Sequence, residues 1–299
     1  MRVILQYPEA SGSSMDLLDA GAIADIAAAA EAAGWDGLAL TEHPAPSNKW
    51  LETGGHQSLD PFVALASAAA VTTRLALVTN ITVVPYRNPL LLAKSAATLN
   101  RMSEGRFYMG AGAGYLKSEY FALGVDFTER NALFEEALQV MRLHWSGEPF
   151  DFEGLHFSAR SIRALPAPRH NRVPIWMGGN SDAALKRAAA HADGWMPMTA
   201  PVSVANTART PPVTNPAELA ERLDALKRFA GDRYEELQLI LSYSGPSLAH
   251  FERDAEQIRQ RLGEMDEMGV DWTIIGPPWS PAPGPAEWLQ AFGETFLSD

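Results

Sequence analysis

Short apolar, β-branched runs alternate along this chain with longer stretches whose apolar positions recur at helical spacing. The runs at residues 3–7, 38–41, 74–84, 106–111, 173–177, 195–198, 237–243 and 272–275 read as strands. Helical stretches follow them at 17–33, 61–71, 89–102, 117–123 with 128–145, 181–191, 216–229 and 248–268, and a last one after 285. The punctuation agrees with this division. Gly34 stands where a helix is closed by a glycine, and Asp60-Pro61 pairs an N-cap with proline at the first helical position. Residues 146–172 form an excursion with room for a small hairpin. The Pro- and Thr-rich segment 201–215 reads as a structureless loop, and 277–285 as a Pro-rich turn.

Eight strand–helix units with no linker or composition shift between them predict a single domain over 1–299. The fold class is α/β, a (β/α)8 TIM barrel with rim insertions. A doubly wound sheet competes, but it would use fewer strands, and no dinucleotide fingerprint follows the first run. Three helix-to-strand junctions look alike: Gly34-Trp35-Asp36-Gly37, Asp193-Gly194-Trp195 and Gly269-Val270-Asp271-Trp272. They mark the structural end of the barrel.

Composition narrows the function. With 299 residues the chain can bury a full core, and with no Cys it has no disulfide, thiolate metal site or Cys nucleophile. A formal net charge of −12 argues against nucleic acid and anionic membranes as partners. No apolar run reaches the length of a membrane span, and the first residues do not resemble a signal peptide, so the expected location is cytoplasmic.

In such a barrel the chemistry lies where strands end and βα loops begin. Four segments fall there. Thr41-Glu42-His43 places a carboxylate beside an imidazole suited to proton transfer near neutral pH. Asn80-Ile81 is a polar interruption of an apolar strand, either bonded to a neighbouring strand or marking a bulge that aims backbone at a ligand. Gly110-Ala111-Gly112-Ala113-Gly114 allows close backbone approach, to a flat ligand or at a crowded barrel corner. Gly178-Gly179-Asn180-Ser181 opens a helix and so offers backbone N–H groups to an anion. Glu119 lies just past the fourth run with no partner acid at the seventh, which disfavours a glycosidase. Glu135-Glu136 reads as a solvated helix face. His43 and His56 lack a third ligand, so no metal site is expected.

These segments, together with Pro85-Tyr86-Arg87-Asn88-Pro89 and Pro174-Ile175-Trp176-Met177-Gly178-Gly179, resemble the bacterial luciferase-like monooxygenase superfamily, in particular its coenzyme F420-dependent branch. The resemblance implies a homodimeric barrel binding F420, or alternatively FMN, at its C-terminal rim. It implies that Glu42 and His43 serve catalysis and that Glu42 contacts the deazaflavin. It further implies that a bulge with a non-proline cis bond at Asn80–Ile81 backs the ring. Gly112 and Gly114 would line the cofactor, and Gly178, Gly179, Asn180 and Ser181 would hold its phosphate. Where sugar-phosphate dehydrogenases of this family carry a Glu after the fourth-strand glycines, this chain has Tyr115, which speaks against glucose 6-phosphate as substrate.

The expected function is hydride transfer between F420 and a small organic substrate. The alternatives are an FMN-dependent two-component monooxygenase served by a partner flavin reductase, a non-catalytic flavin-binding protein, and an unrelated barrel hydrolase.

Overall fold

The computed structural model describes residues 1–8, 16–277 and 284–298. Among these residues there are ten strands: β1 Arg2–Gln6, β2 Gly37–Leu40, β3 Ala76–Val83, β4 Phe107–Gly112, β5 Phe150–Glu153, β6 Ser158–Ile162, β7 Ile175–Gly178, β8 Gly194–Met196, β9 Gln238–Ser242 and β10 Trp272–Ile275. Eight of them close a parallel barrel in the order β1-β2-β3-β4-β7-β8-β9-β10, with β10 returning to β1. The remaining pair, β5 and β6, is an antiparallel hairpin inside the 146–172 excursion.

Alternation along the strands sorts side chains into two cores. On β1, Ile4 points into the barrel with Val78, Trp176, Ile240 and Ile274, whereas Val3 and Leu5 meet the surrounding helices. The helices present small faces to the sheet: Ala27 and Ala30 of Ile23–Ala32, Ala93, Ala96 and Ala97 of Pro89–Met102. One end of the barrel is plugged. Tyr108 stacks on Trp176 at 4.6 Å, Trp176 lies 5.4 Å from Trp272, and the Arg2 guanidinium covers Trp272 at 3.8 Å. The opposite end is therefore the one free to hold a ligand.

The three similar junctions share one device. Asp36, Asp193 and Asp271 each accept the backbone N–H of an earlier barrel strand, from Val3 at 2.7 Å, Ile175 at 2.8 Å and Leu239 at 2.8 Å. Each Asp also returns its own N–H to that residue's carbonyl. The carboxylate thus staples neighbouring strands at the plugged end, which explains why the same residues recur.

Local expectations were met at the caps and revised elsewhere. Asp60 accepts from the N–H groups of Phe62 and Val63 at the start of Pro61–Val71. The helix expected over 17–33 is broken: a 3-10 turn at Leu17–Ala20 ends at Gly21, whose φ of 114° no helix continues, before Ile23–Ala32 begins. The 248–268 helix is likewise shortened to Ala255–Glu267 behind a 3-10 turn, Leu248–His250. Segment 201–215 is not structureless, for it carries the helix Val202–Thr207 and an Ala200–Val213 bridge. Glu136 is not a solvated residue. It is buried and accepts the N–H groups of His156 and Phe157, which fastens the hairpin turn to helix Arg130–Trp145. Most of the expected 277–285 turn lies outside the described residues. Among those described, no helix is long and apolar enough to cross a membrane.

Glu31 gives the fold a measurable pH response. Burial would raise its carboxyl, but N–H groups of Arg74, Thr73 and Leu75 ahead of β3 outweigh that and lower it from 4.5 to about 2. A lowered folded value stabilises above the ordinary value and loses that stabilisation as pH falls through the folded one. Glu31→Gln should therefore cost about 2–4 °C of Tm near neutrality, the scale of ~1 kcal/mol after solvent screening. The variant and parent melting curves should converge between pH 4.5 and about 2. A constant gap across that window would remove the assignment.

Candidate active site

A cavity of about 470 Å³ opens at the end of the barrel opposite the tryptophan plug. Residues at the C-terminal ends of seven of the eight barrel strands contribute to it: Glu42 and His43 after β2, Asn80 and Ile81 in β3, Gly112 and Gly114 at β4, Gly178, Gly179 and Ser181 after β7, Met196, Ile240 and Ile274. A site of this size is large enough for much of a drug-sized ligand.

At one side of the cavity, the segment after β2 places a histidine against a buried carboxylate. His43 Nδ1 lies 3.3 Å from Glu119 Oε2. The ring rests against Trp50 at 4.4 Å and meets His56 edge-on at 5.0 Å and Tyr115 at 6.1 Å. Glu119 is fully buried and also accepts Ala45 N–H at 3.2 Å and Tyr86 O–H at 2.7 Å. Glu42, 3% exposed, accepts Val83 N–H at 2.7 Å through Oε2 and pairs with Arg87 through Oε1. Burial pushes the Glu42 carboxyl upward, and the Arg87 charge and the Val83 N–H pull against that. Both Glu42 oxygens are thus engaged in tying β2 to the end of β3.

In the wall, the Asn80–Ile81 peptide is cis, and the β3–β4 register shifts between Thr79 and Thr82. Of the two sequence readings of Asn80, the structure has the bulge. The Asn80 amide donates to Gln6 Oε1 at 2.8 Å, so its hydrogen bond goes to β1 rather than to either adjacent strand, β2 or β4. The bulge aims Ile81 across the barrel, and the fourth-strand glycines fit the second of their two sequence readings, a crowded barrel corner. A Cβ at Gly112 would collide with Ile81 Cδ1, one at Gly178 would crowd the same atom, and one at Gly110 would strike the Thr79 carbonyl. Gly112 and Gly178 line the cavity, but their missing side chains make room for Ile81 in the first place. Gly114, at φ 68°, makes the turn that lets Val83 and Tyr120 close over it.

At the far side, Ser181 caps helix Asp182–His191 by accepting Ala184 N–H, and Gly178, Gly179 and Ser181 face the cavity. Asn180 corrects the expectation. It is wholly buried; its amide donates to the carbonyls of Met198 and Pro211 and accepts Met198 N–H, while its own N–H goes to Thr210 Oγ1. It is spent on holding segment 197–211 over the site and is not among the lining residues.

A family model described as luciferase-like monooxygenase matches residues 3–209. The chain belongs to that family. An uncharacterized protein of Mycobacterium tuberculosis (strain ATCC 25618 / H37Rv) is 33% identical over 183 residues, 57% of this chain and 63% of that protein, so the match spans less than two thirds of the relative. An F420-dependent glucose-6-phosphate dehydrogenase of Mycobacterium avium (strain 104) is 32% identical over 182 residues, 58% of this chain and 52% of that enzyme. The solved monooxygenase RslO1 from Streptomyces bottropensis superposes with a TM-score of 0.78 at 20% identity, covering 99% of both chains, which is a likeness of fold.

Sequence reasoning missed two groups in this luciferase-like barrel. The first is a set of arginines, Arg130, Arg187 and Arg209, beside the capped helix. They come from two helices and a loop, and nothing in their spacing announces the convergence. Arg187 is buried; one Nη pairs with Glu135 at 3.0 Å, and its Nε has no partner among the described residues. The Thr199 hydroxyl, in another lining residue, is buried and unpartnered in the same sense. Of the ten buried, unpartnered side-chain polar atoms among the described residues, these two are the ones on residues lining this cavity, where a bound ligand would be at hand to partner them. The second group is Glu119 with Tyr86. Glu119 was weighed only as a possible member of an acid pair, because its 76-residue separation from His43 hides the contact.

Proposed function

We propose that this protein is an F420-dependent oxidoreductase transferring hydride between the deazaflavin and a small organic substrate. The observation that carries the reading is the cavity's polarity: a histidine–carboxylate pair at one side, and at the other a helix N-terminus with three arginines and the orphaned Arg187 Nε. The residues present fit an anionic coenzyme with a flat ring. In a chain of net charge −12 such a ligand needs local cations and N–H dipoles, and these occur together there. The 32% identical F420-dependent relative supports F420 over FMN.

When bound, the deazaflavin would supply the hydride donor or acceptor. This chain's residues would do the rest. Gly178, Gly179, Ser181 and the arginines would hold the phosphate arm, and the Asn80–Ile81 bulge would form the wall behind the ring. His43 would exchange a proton with the substrate. Glu42 is turned to Arg87 and Val83, so its part is to place His43 rather than to transfer a proton itself.

The test is titration of the protein with F420 and with FMN, followed by fluorescence. F420 should bind with quenching, and Arg209→Ala should weaken it about 5–10-fold, an effect that shrinks as salt rises. Tight FMN binding with no response to F420 would overturn the reading in favour of a flavin monooxygenase.

A further inference from the structure

Glu119 enters the reading above only as the carboxylate beside His43, with no task of its own. It lies on helix Lys117–Ala122, fully buried, and its carboxylate is ringed by hydrogen-bond donors. Oε1 accepts the Ala45 N–H at 3.2 Å, and a backbone amide can only donate. Oε2 accepts the Tyr86 hydroxyl at 2.7 Å. Burial, and then the hydrogen bond to Glu119, push the Tyr86 phenol well above its ordinary value, so it keeps its proton and donates it. Both oxygens of Glu119 therefore act as acceptors, the behaviour of an ionised carboxylate. Such a group can meet His43 Nδ1, 3.3 Å away, only by accepting from it.

We infer that Glu119, itself held by Tyr86 and Ala45, is a positioning residue that fixes the His43 proton on Nδ1 and reserves Nε2 for the substrate proton. The surroundings suit this role. Trp50 covers the imidazole and His56 and Tyr115 border it, so the ring is held in place and does not turn freely. Among the described residues, the other charges nearby, Glu42 and Arg87, pair with each other, and Glu119 is the carboxylate hydrogen-bonded to the ring. A histidine locked in one tautomer by a buried acceptor is ready to take a proton at its other nitrogen without reorganising.

The resting tautomer does not depend on the coenzyme, whereas its catalytic consequence rests on the proposed function. The test therefore has two arms. In the first, protein labelled with 15N-histidine is examined by NMR at about pH 8, with the His43 signals assigned through His43→Asn. Nδ1 should be protonated and Nε2 bare, and Glu119→Gln should move His43 toward a mixture or toward the Nε2–H form. Tyr86→Phe, which keeps the ring and removes only the hydroxyl, should shift the balance in the same direction by less. In the second arm, Glu119→Gln should lower kcat about 100-fold or more and leave the coenzyme Kd within about 2-fold. An Nε2–H tautomer in the parent protein would overturn the inference, as would a parent tautomer unchanged in both variants. If F420 fails to bind but His43 is Nδ1-protonated and responds to both substitutions, the proposed function falls and the positioning role stands.

Discussion

Arg87→Ala is expected to lower stability by about 3–5 kcal/mol, or Tm by about 10 °C. Glu42 is 3% exposed, and its two oxygens are satisfied by Arg87 and by the Val83 N–H. Removing the guanidinium strands a carboxylate that burial already disfavours in its charged form. The side chain also lies 5.6 Å from the Phe62 ring, so packing is lost with the charge. Adding Glu42→Gln to Arg87→Ala should recover part of the loss, because it removes the carboxylate charge that Arg87→Ala leaves unpaired. Thermal or urea unfolding of the two single variants and the double variant measures this coupling. A loss below ~1 kcal/mol for Arg87→Ala would mean that the pair behaves like an exposed one.

His43→Asn is expected to lower turnover by about 100- to 10,000-fold while coenzyme binding changes little. Asn keeps hydrogen-bonding capacity beside Glu119 but cannot take up a proton. The residues assigned to the coenzyme's charged arm lie on the opposite side of the cavity, on the turn after β7 and its neighbours. Single-turnover kinetics and a coenzyme titration on the same variant separate the two effects. Full activity in His43→Asn would remove His43 from the chemistry. A large loss of coenzyme affinity would make it a binding residue instead.

These two predictions concern neighbouring residues with different duties. Glu42 and Arg87 are the frame: they fasten the end of β2 to the end of β3, just past the bulge. His43 is the group that frame carries to the cavity. The glycines belong to the frame as well. Gly110 and Gly112 of β4 and Gly178 of β7 have no side chains where Ile81 and the Thr79 carbonyl come across, so the cavity wall at the bulge depends on two strands leaving that space open.

Much of the fold was legible because the information is local. A strand of period two or a helix of period 3.6 is written in consecutive residues, and so are its caps. The eight barrel strands fall within a few residues of their expected positions, and Asp60 and Ser181 cap the helices that follow them. The misreadings were at joints. Gly21 breaks a continuous apolar pattern through a backbone angle, and segment 201–215 gains a helix because Asn180 and Thr210 anchor its ends to the barrel.

The site divides in the same way. The order of the residues alone singled out Glu42, His43, Asn80 and the glycine turns, since a strand end in a barrel is a position that order predicts. Only the tertiary structure decided what each one touches. Glu119 reaches His43 across 76 residues, Arg87 reaches Glu42 across 45, and Asn80 reaches Gln6 across 74. It also turned Asn180 from an expected anion ligand into the anchor of a covering segment, and brought Arg130, Arg187 and Arg209 to one wall. The reason is physical. Periodicity and capping are set by neighbours along the chain, whereas a buried carboxylate takes its partners from whatever donors closure of the barrel brings within 3 Å or so, and those lie many residues away.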